Sequence, residues 1–110
     1  MMRVLSLVAS LATLSCLSST VSAQDLANKG KDVYSAQKCS VCHAISGTGN
    51  KKGALDDVGR KRSAADIRSW ITEAPAMAAK VKAERKPAMK AYTLGKDDLD
   101  ALVAYLETLK

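Results

Sequence analysis

Apolar positions near the end of the chain recur at intervals of three and four residues, the spacing of one face of an α-helix. They are Leu99, Leu102, Val103, Leu106 and Leu109. Just before them, Asp97 and Asp98 suit the positive end of a helix dipole. This stretch predicts a final helix and is the strongest helical signal in the sequence.

Two earlier stretches also predict helices. In the first, from about Asp25 to Cys39, the apolar side chains share one face and Gly30 lies one turn before Tyr34. The second begins after Ser63, a good N-cap, and stops before Pro75. The apolar face of the first carries Leu26, Val33 and Tyr34, and that of the second carries Ile67, Trp70 and Ile71.

The other segments predict loops rather than strands. Residues 46–53 contain three glycines and no apolar side chain, and a short apolar segment at 55–58 ends at Gly59. The Ala- and Lys-rich residues 76–84 can add a helical turn or two before Pro87. We therefore expect an all-α domain of about four helices with long loops.

The first 23 residues are typical of a secretory signal peptide. Arg3 precedes an almost wholly apolar or small stretch at 4–17, and the small residues of Val21-Ser22-Ala23 suit a signal peptidase. We expect cleavage after Ala23 and export to the periplasm.

Two other uses of this segment remain open. An uncleaved anchor is one, although the apolar run is shorter than the roughly 20 residues that span a bilayer. A lipid anchor on Cys16 is the other, although Thr13 stands where lipoprotein signals usually have Leu. We expect neither, and hence no stable membrane insertion after cleavage.

The expected mature domain, residues 24–110, is small and basic. Without Arg3 it keeps 16 basic and 11 acidic side chains, a net charge of +5. Nucleic acid is not the expected partner, for two reasons. The protein is expected to be exported, and it has only four aromatic side chains that could stack on bases. Acidic protein surfaces or anionic lipid headgroups suit this charge better. So small a domain has a marginal core of its own and would gain from an added apolar body.

The sequence Cys39-Ser-Val-Cys42-His43 is a haem-attachment signature. Two thiols three residues apart can reach the two vinyl groups of one haem and form thioethers. The next residue is then held beneath the porphyrin, where its imidazole can bind the iron. His43 is the single histidine of the sequence. We predict one covalent haem c on Cys39 and Cys42, with His43 bound to the iron.

Two such thiols can serve three other purposes in proteins, each less suited to this sequence. A thioredoxin-like redox pair needs a strand–helix context that the sequence lacks. A structural zinc site needs four ligands, and the mature chain offers only Cys39, Cys42 and His43 of the usual soft type. A disulfide that closes so short a loop stabilises little.

With this motif, the sequence resembles the class I cytochromes c over nearly all of residues 26–110. The likeness is carried by Gly30–Tyr34, Cys39–His43, Leu55–Gly59, Ile67–Ile71, Met89–Tyr92 and Asp97–Leu106. It implies that the first and last helices cross at close range, with the haem in a cleft against them. Gly30 would permit that crossing, with Tyr34, Leu102 and Tyr105 packed around it.

The resemblance also implies a second axial ligand to the iron. No second histidine exists, so methionine is the candidate, and Met77 and Met89 remain after signal cleavage. Met89 follows Pro87 and precedes Tyr92, which matches the family's ligand loop, so we predict that Met89 binds the iron. Met77 lies among alanines, where it is predicted to fill a core gap.

Two further residues have expected roles through the resemblance. The family counterpart of Trp70 often donates its indole N–H to a haem propionate; a Trp packed on the haem with its N–H bonded elsewhere is the alternative. Gly53 stands where the family usually has proline. Its carbonyl is expected to accept a hydrogen bond from His43 and orient the ring, in a loop that is less rigid than usual.

The leading functional hypothesis is a diffusible single-electron carrier rather than an enzyme, because no acid–base pair or nucleophile stands out beyond the haem site. A ligand-binding sensor or peroxidase-like protein with a labile sixth ligand is one alternative, and a subunit of a larger oxidoreductase is another. Basic residues near the site in sequence would steer docking onto acidic redox partners. They are Lys38, Lys51, Lys52, Lys80, Lys82, Arg85, Lys86 and Lys90.

Overall fold

A computed structural model describes residues 22–110 and, before them, Ser15 alone. The helices are α1 (Ala23–Ala36), α2 (Val58–Lys61), α3 (Ala64–Thr72), α4 (Ala74–Lys80) and α5 (Lys96–Glu107), and the strands are β1 (Ala44–Ile45) and β2 (Thr48–Gly49). The predicted signal peptide, apart from Ser15, Ser22 and Ala23, lies outside the described residues, as does Cys16. Across the described part of the chain, no helix is both long and apolar enough to cross a membrane.

The expected all-α fold is confirmed, but α1 is displaced from its predicted bounds. It begins at Ala23, where the Ser22 hydroxyl accepts a hydrogen bond from the Asp25 N–H at 3.1 Å. It ends at Ala36 because Lys38 adopts a left-handed conformation with φ of 57°. Cys39 therefore starts a separate 3-10 turn instead of ending the first helix.

The prediction that the segments between the helices contain no strands was wrong at one place. β1 and β2 pair antiparallel, with Ala44 opposite Gly49 and Ile45 opposite Thr48. The two residues of the turn, Ser46 and Gly47, have φ of 50° and 78°, the sign that a tight hairpin turn requires. Strands of two residues are too short to show alternation in a sequence.

Two further segments, around Gly59 and around Pro75, differ in detail from prediction. Gly59 does not end the short apolar segment but lies inside α2. Its N–H donates to the Leu109 carbonyl at 2.8 Å, and a Cβ at this position would overlap the Glu107 carbonyl. Pro75 separates α3 from α4 as expected, but it lies in the first turn of α4, where its missing N–H is tolerated. The chain thus has five α-helices within residues 22–110, not four.

The first and last helices cross at Gly30, as expected. A Cβ on Gly30 would overlap the Ala101 carbonyl, so only glycine permits this approach. Beside the crossing, the rings of Tyr34 and Tyr105 meet edge to face, with centroids 5.9 Å apart. Ala101 itself, fully buried, was not foreseen as the partner. The crossing fixes one wall of the core, whose buried side chains are Val33, Tyr34, Ile67, Ile71, Leu102, Val103 and Leu106.

Replacing Gly30 with alanine should destabilise the haem-loaded protein by about 3 kcal/mol, the upper end of overpacking costs, because the added carbon meets backbone rather than a movable side chain. Urea unfolding measures this. Gly95→Ala is the control: a Cβ there meets no atom within 4 Å, and its loss of N-cap preference should cost less than about 1 kcal/mol. Equal effects of the two substitutions would contradict the close crossing.

Candidate functional site

The two thiols and the imidazole are carried on one tight turn after α1. The Cys42 N–H and the His43 N–H both donate to the Cys39 carbonyl, at 3.1 and 2.9 Å, and the Val41 N–H donates to Lys38 at 3.1 Å. The left-handed Lys38 starts this turn by breaking the direction of α1. The backbone thus presents all three functional side chains from five consecutive residues.

Asn50 holds the hairpin loop against this turn. Its backbone N–H donates to the carbonyls of Ser40 and His43 at 3.1 and 3.0 Å, and its amide donates to the Val41 carbonyl at 3.3 Å. Its side-chain oxygen also accepts from the Lys52 N–H. No pattern in the sequence signals this role of Asn50, because asparagine is common in loops.

His43 donates from Nδ1 to the Gly53 carbonyl at 2.9 Å. With the proton on Nδ1, the lone pair of Nε2 is free to bind a metal. Burial lowers the pKa of His43, the hydrogen bond to Gly53 opposes that shift, and the Arg85 charge adds to it. The ring is therefore held neutral and in one orientation.

A cavity of about 780 Å³ opens beside the turn. All six residues that were predicted for the site line it: Cys39, Cys42, His43, Gly53, Trp70 and Met89. Met77, the alternative methionine, does not. The remaining wall is largely apolar and includes Leu55, Ile67, Ile71, Leu102 and Leu106. The fold thus places residues that are far apart in the sequence around the same cavity.

Two buried donors in this wall have no partner in the part of the chain that the structure describes. Among the described residues, Tyr34 Oη and Trp70 Nε1 are the buried side-chain polar atoms without a hydrogen bond, and both residues line the cavity. Burial raises the pKa of Tyr34 to about 12, so its hydroxyl stays protonated. Unmet buried donors are costly, and a bound molecule with acceptor oxygens would satisfy them. Tyr34 was predicted only as a packing residue.

The donor set at the turn suits covalent attachment of a large apolar group better than a bare metal ion. The thiols of Cys39 and Cys42 are free and partly buried, and burial raises the pKa of Cys39. Within residues 22–110, no three His, Cys, Asp or Glu side chains come together as a metal site. Two thiols, one imidazole and a thioether around an apolar space fit an iron porphyrin.

Basic side chains lie at the cavity, but not all of those predicted. Lys38, Arg85 and Lys90 line it, and the other five of the predicted set do not. Two basic residues that the sequence analysis did not include, Lys61 and Arg62, also line it, and the Arg62 guanidinium lies 5.2 Å from the centre of the Trp70 ring.

Arg85 has a specific contact that the sequence analysis missed. Its guanidinium donates a hydrogen bond to the Cys42 carbonyl, 43 residues earlier in the chain. The sequence placed Arg85 only among the basic residues, because no local pattern signals a bond between such distant positions.

Comparisons with known proteins agree with the geometry of the site. The cytochrome c family model matches residues 27–110. The chain is also 30% identical over 97 residues to cytochrome c oxidase subunit 2 of Alkalihalophilus pseudofirmus, an alignment that spans 79% of this chain and 27% of that protein. No solved structure gave a significant match. Because the family model covers most of its length, this chain belongs to the cytochrome c family, whose members carry a covalently bound haem c with its iron.

Proposed function

We propose that this protein is a periplasmic carrier of single electrons, with haem bound through thioethers to Cys39 and Cys42 and with His43 and Met89 as the axial ligands. The observation that carries the proposal is the one cavity that all four of these residues line. Membership of the cytochrome c family supports haem-based electron transfer. When bound, the haem supplies an iron that alternates between the ferric and ferrous states.

The protein's own residues would set the properties of that iron. Gly53 fixes the orientation of His43 through the 2.9 Å hydrogen bond. The largely apolar wall would exclude water from much of the haem surface, and a thioether from Met89 would favour the ferrous state. The unpartnered N–H of Trp70 is available to a propionate, and the basic side chains at the cavity would meet acidic surfaces of redox partners.

Location is part of the proposal. Residues 1–23 would act as a signal peptide, and cleavage after Ala23 would remove the Ser22 cap seen on α1. The mature helix would then start near Asp25, whose carboxylate suits a helix N-terminus. The mass of the mature protein from a periplasmic extract tests this, with Gln24 expected as its first residue.

A second candidate function is that of an electron-transfer domain within or bound to a larger oxidoreductase. The observation that favours it is the similarity to a cytochrome c oxidase subunit, a longer protein of which the alignment covers 27%. Size-exclusion chromatography of the haem-containing species from the native host distinguishes the two. A free carrier elutes as a small protein, and a subunit elutes with its complex.

Optical spectra and mass test the carrier function directly. Protein made with haem-maturation machinery should carry one covalent haem per chain, by mass and by pyridine haemochrome. Its spectra should be low-spin and six-coordinate in both oxidation states, with slow binding of CO, because both axial positions are filled. A high-spin spectrum or rapid CO binding would instead indicate a ligand-binding sensor or a peroxidase-like protein.

A further inference from the structure

The segment that carries Met89 is tied to the rest of the protein at few points. Within residues 84–91, all of which the structure describes, the one hydrogen bond is the bond from the Arg85 guanidinium to the Cys42 carbonyl. The next tie is the Tyr92 N–H, which donates to the Ile71 carbonyl at 2.8 Å. Met89 thus lies between two anchors, four residues after one and three residues before the other.

Gly53 makes room for the first of these anchors. A Cβ on Gly53 would overlap both the Arg85 guanidinium and the Cys42 carbonyl that it binds. The same glycine accepts the His43 hydrogen bond through its carbonyl. The Arg85 bond to the haem-attachment turn therefore depends on the absence of a side chain at position 53.

We infer that Arg85 is a positioning residue, which fastens the Met89 segment to the haem-attachment turn through the gap left by Gly53. The inference rests on the proposed function, because it assigns Arg85 the task of keeping the Met89 thioether at the iron. A side chain at position 53 would occupy the space of the guanidinium.

The guanidinium has a second effect through its charge. It lies against the carbonyl of the residue next to His43, so its positive charge is close to the iron site. A nearby positive charge disfavours the ferric state, which carries one more positive charge than the ferrous state. Arg85 should therefore raise the reduction potential as well as hold the segment.

The test is the rate at which imidazole binds the ferric haem protein, followed by stopped-flow absorbance. Imidazole can bind the iron only when Met89 leaves it, so a variant with a loosened Met89 segment should bind imidazole faster. We expect Arg85→Gln to raise the rate about tenfold, the factor that one charge-assisted hydrogen bond contributes, and to lower the reduction potential. Arg85→Lys, which keeps the charge but not the planar fork, should restore the potential more fully than the rate.

Lys86→Gln is the matched control, because it removes the same charge from the neighbouring position, and no hydrogen bond of Lys86 is seen in the described residues. It should leave the imidazole rate unchanged. Gly53→Ala should raise the rate as Arg85→Gln does, and the double variant should bind no faster than either single one. Rates for Arg85→Gln within twofold of the Lys86→Gln rate would overturn the inference. If the iron–thioether band then still depends on Met89, the proposed ligation stands and only the role of Arg85 fails.

Discussion

Replacing both Cys39 and Cys42 with alanine should give a protein that carries no covalent haem and does not keep its helices at room temperature. The reason is the size of the cavity. The cavity measures about 780 Å³ and its wall is largely apolar. Leaving even about a third of that volume empty would cost about 6 kcal/mol at roughly 24 cal/mol per Å³. That is comparable with the whole stability of a small domain, about 5–15 kcal/mol.

Mass spectrometry under denaturing conditions measures the covalent haem, and far-UV circular dichroism measures the helices. Ser40→Ala is the matched control, because it changes an exposed residue between the two thiols and leaves both of them in place. It should attach haem and fold as the parent does. A haem-free double variant with full helical signal would mean that the protein does not need a group in the cavity.

Met89→Ala should abolish the charge-transfer band that an iron–thioether bond gives in the ferric protein, and it should lower the reduction potential by on the order of 0.1–0.3 V. Axial ligands span roughly 0.8 V in haem proteins, and loss of a thioether removes the ligand that favours ferrous iron. CO should then bind the ferrous protein rapidly. Absorbance and a redox titration measure these changes.

Met77→Ala is the comparison for this experiment. Met77 is half-buried in α4 and does not line the cavity, so its removal should cost about 1–3 kcal/mol of stability with no change in the band. Loss of the band in Met77→Ala alone would show that the ligand assignment is wrong.

The sequence was most informative where a local pattern has one physical cause. The final helix followed from its apolar periodicity, and the start of α3 followed from Ser63, whose hydroxyl accepts from the Asp66 N–H at 3.2 Å. The resemblance to the class I cytochromes c implied the close crossing of the first and last helices, and Gly30 agreed with it because it has no side chain. The motif from Cys39 to His43 likewise placed three site residues on one turn.

Other features had no local signal. The early end of α1 depends on a left-handed lysine, a conformation that lysine seldom adopts. The Tyr34 hydroxyl lacks a partner only because the fold buries it in the cavity wall, and in the sequence Tyr34 is one more apolar position. The bond from Arg85 to Cys42 joins segments that meet only in the tertiary structure. Such contacts can be identified only from the three-dimensional structure.

The crossing of α1 with α5 has a consequence for biosynthesis. The two helices lie at opposite ends of the described chain, so the contact between Gly30 and Ala101 closes the longest loop of the domain. A ribosome completes residues 39–43 well before it reaches α5. Until then Leu102 and Leu106 are missing from the cavity wall, so the cavity can be completed only after nearly the whole domain has been synthesised.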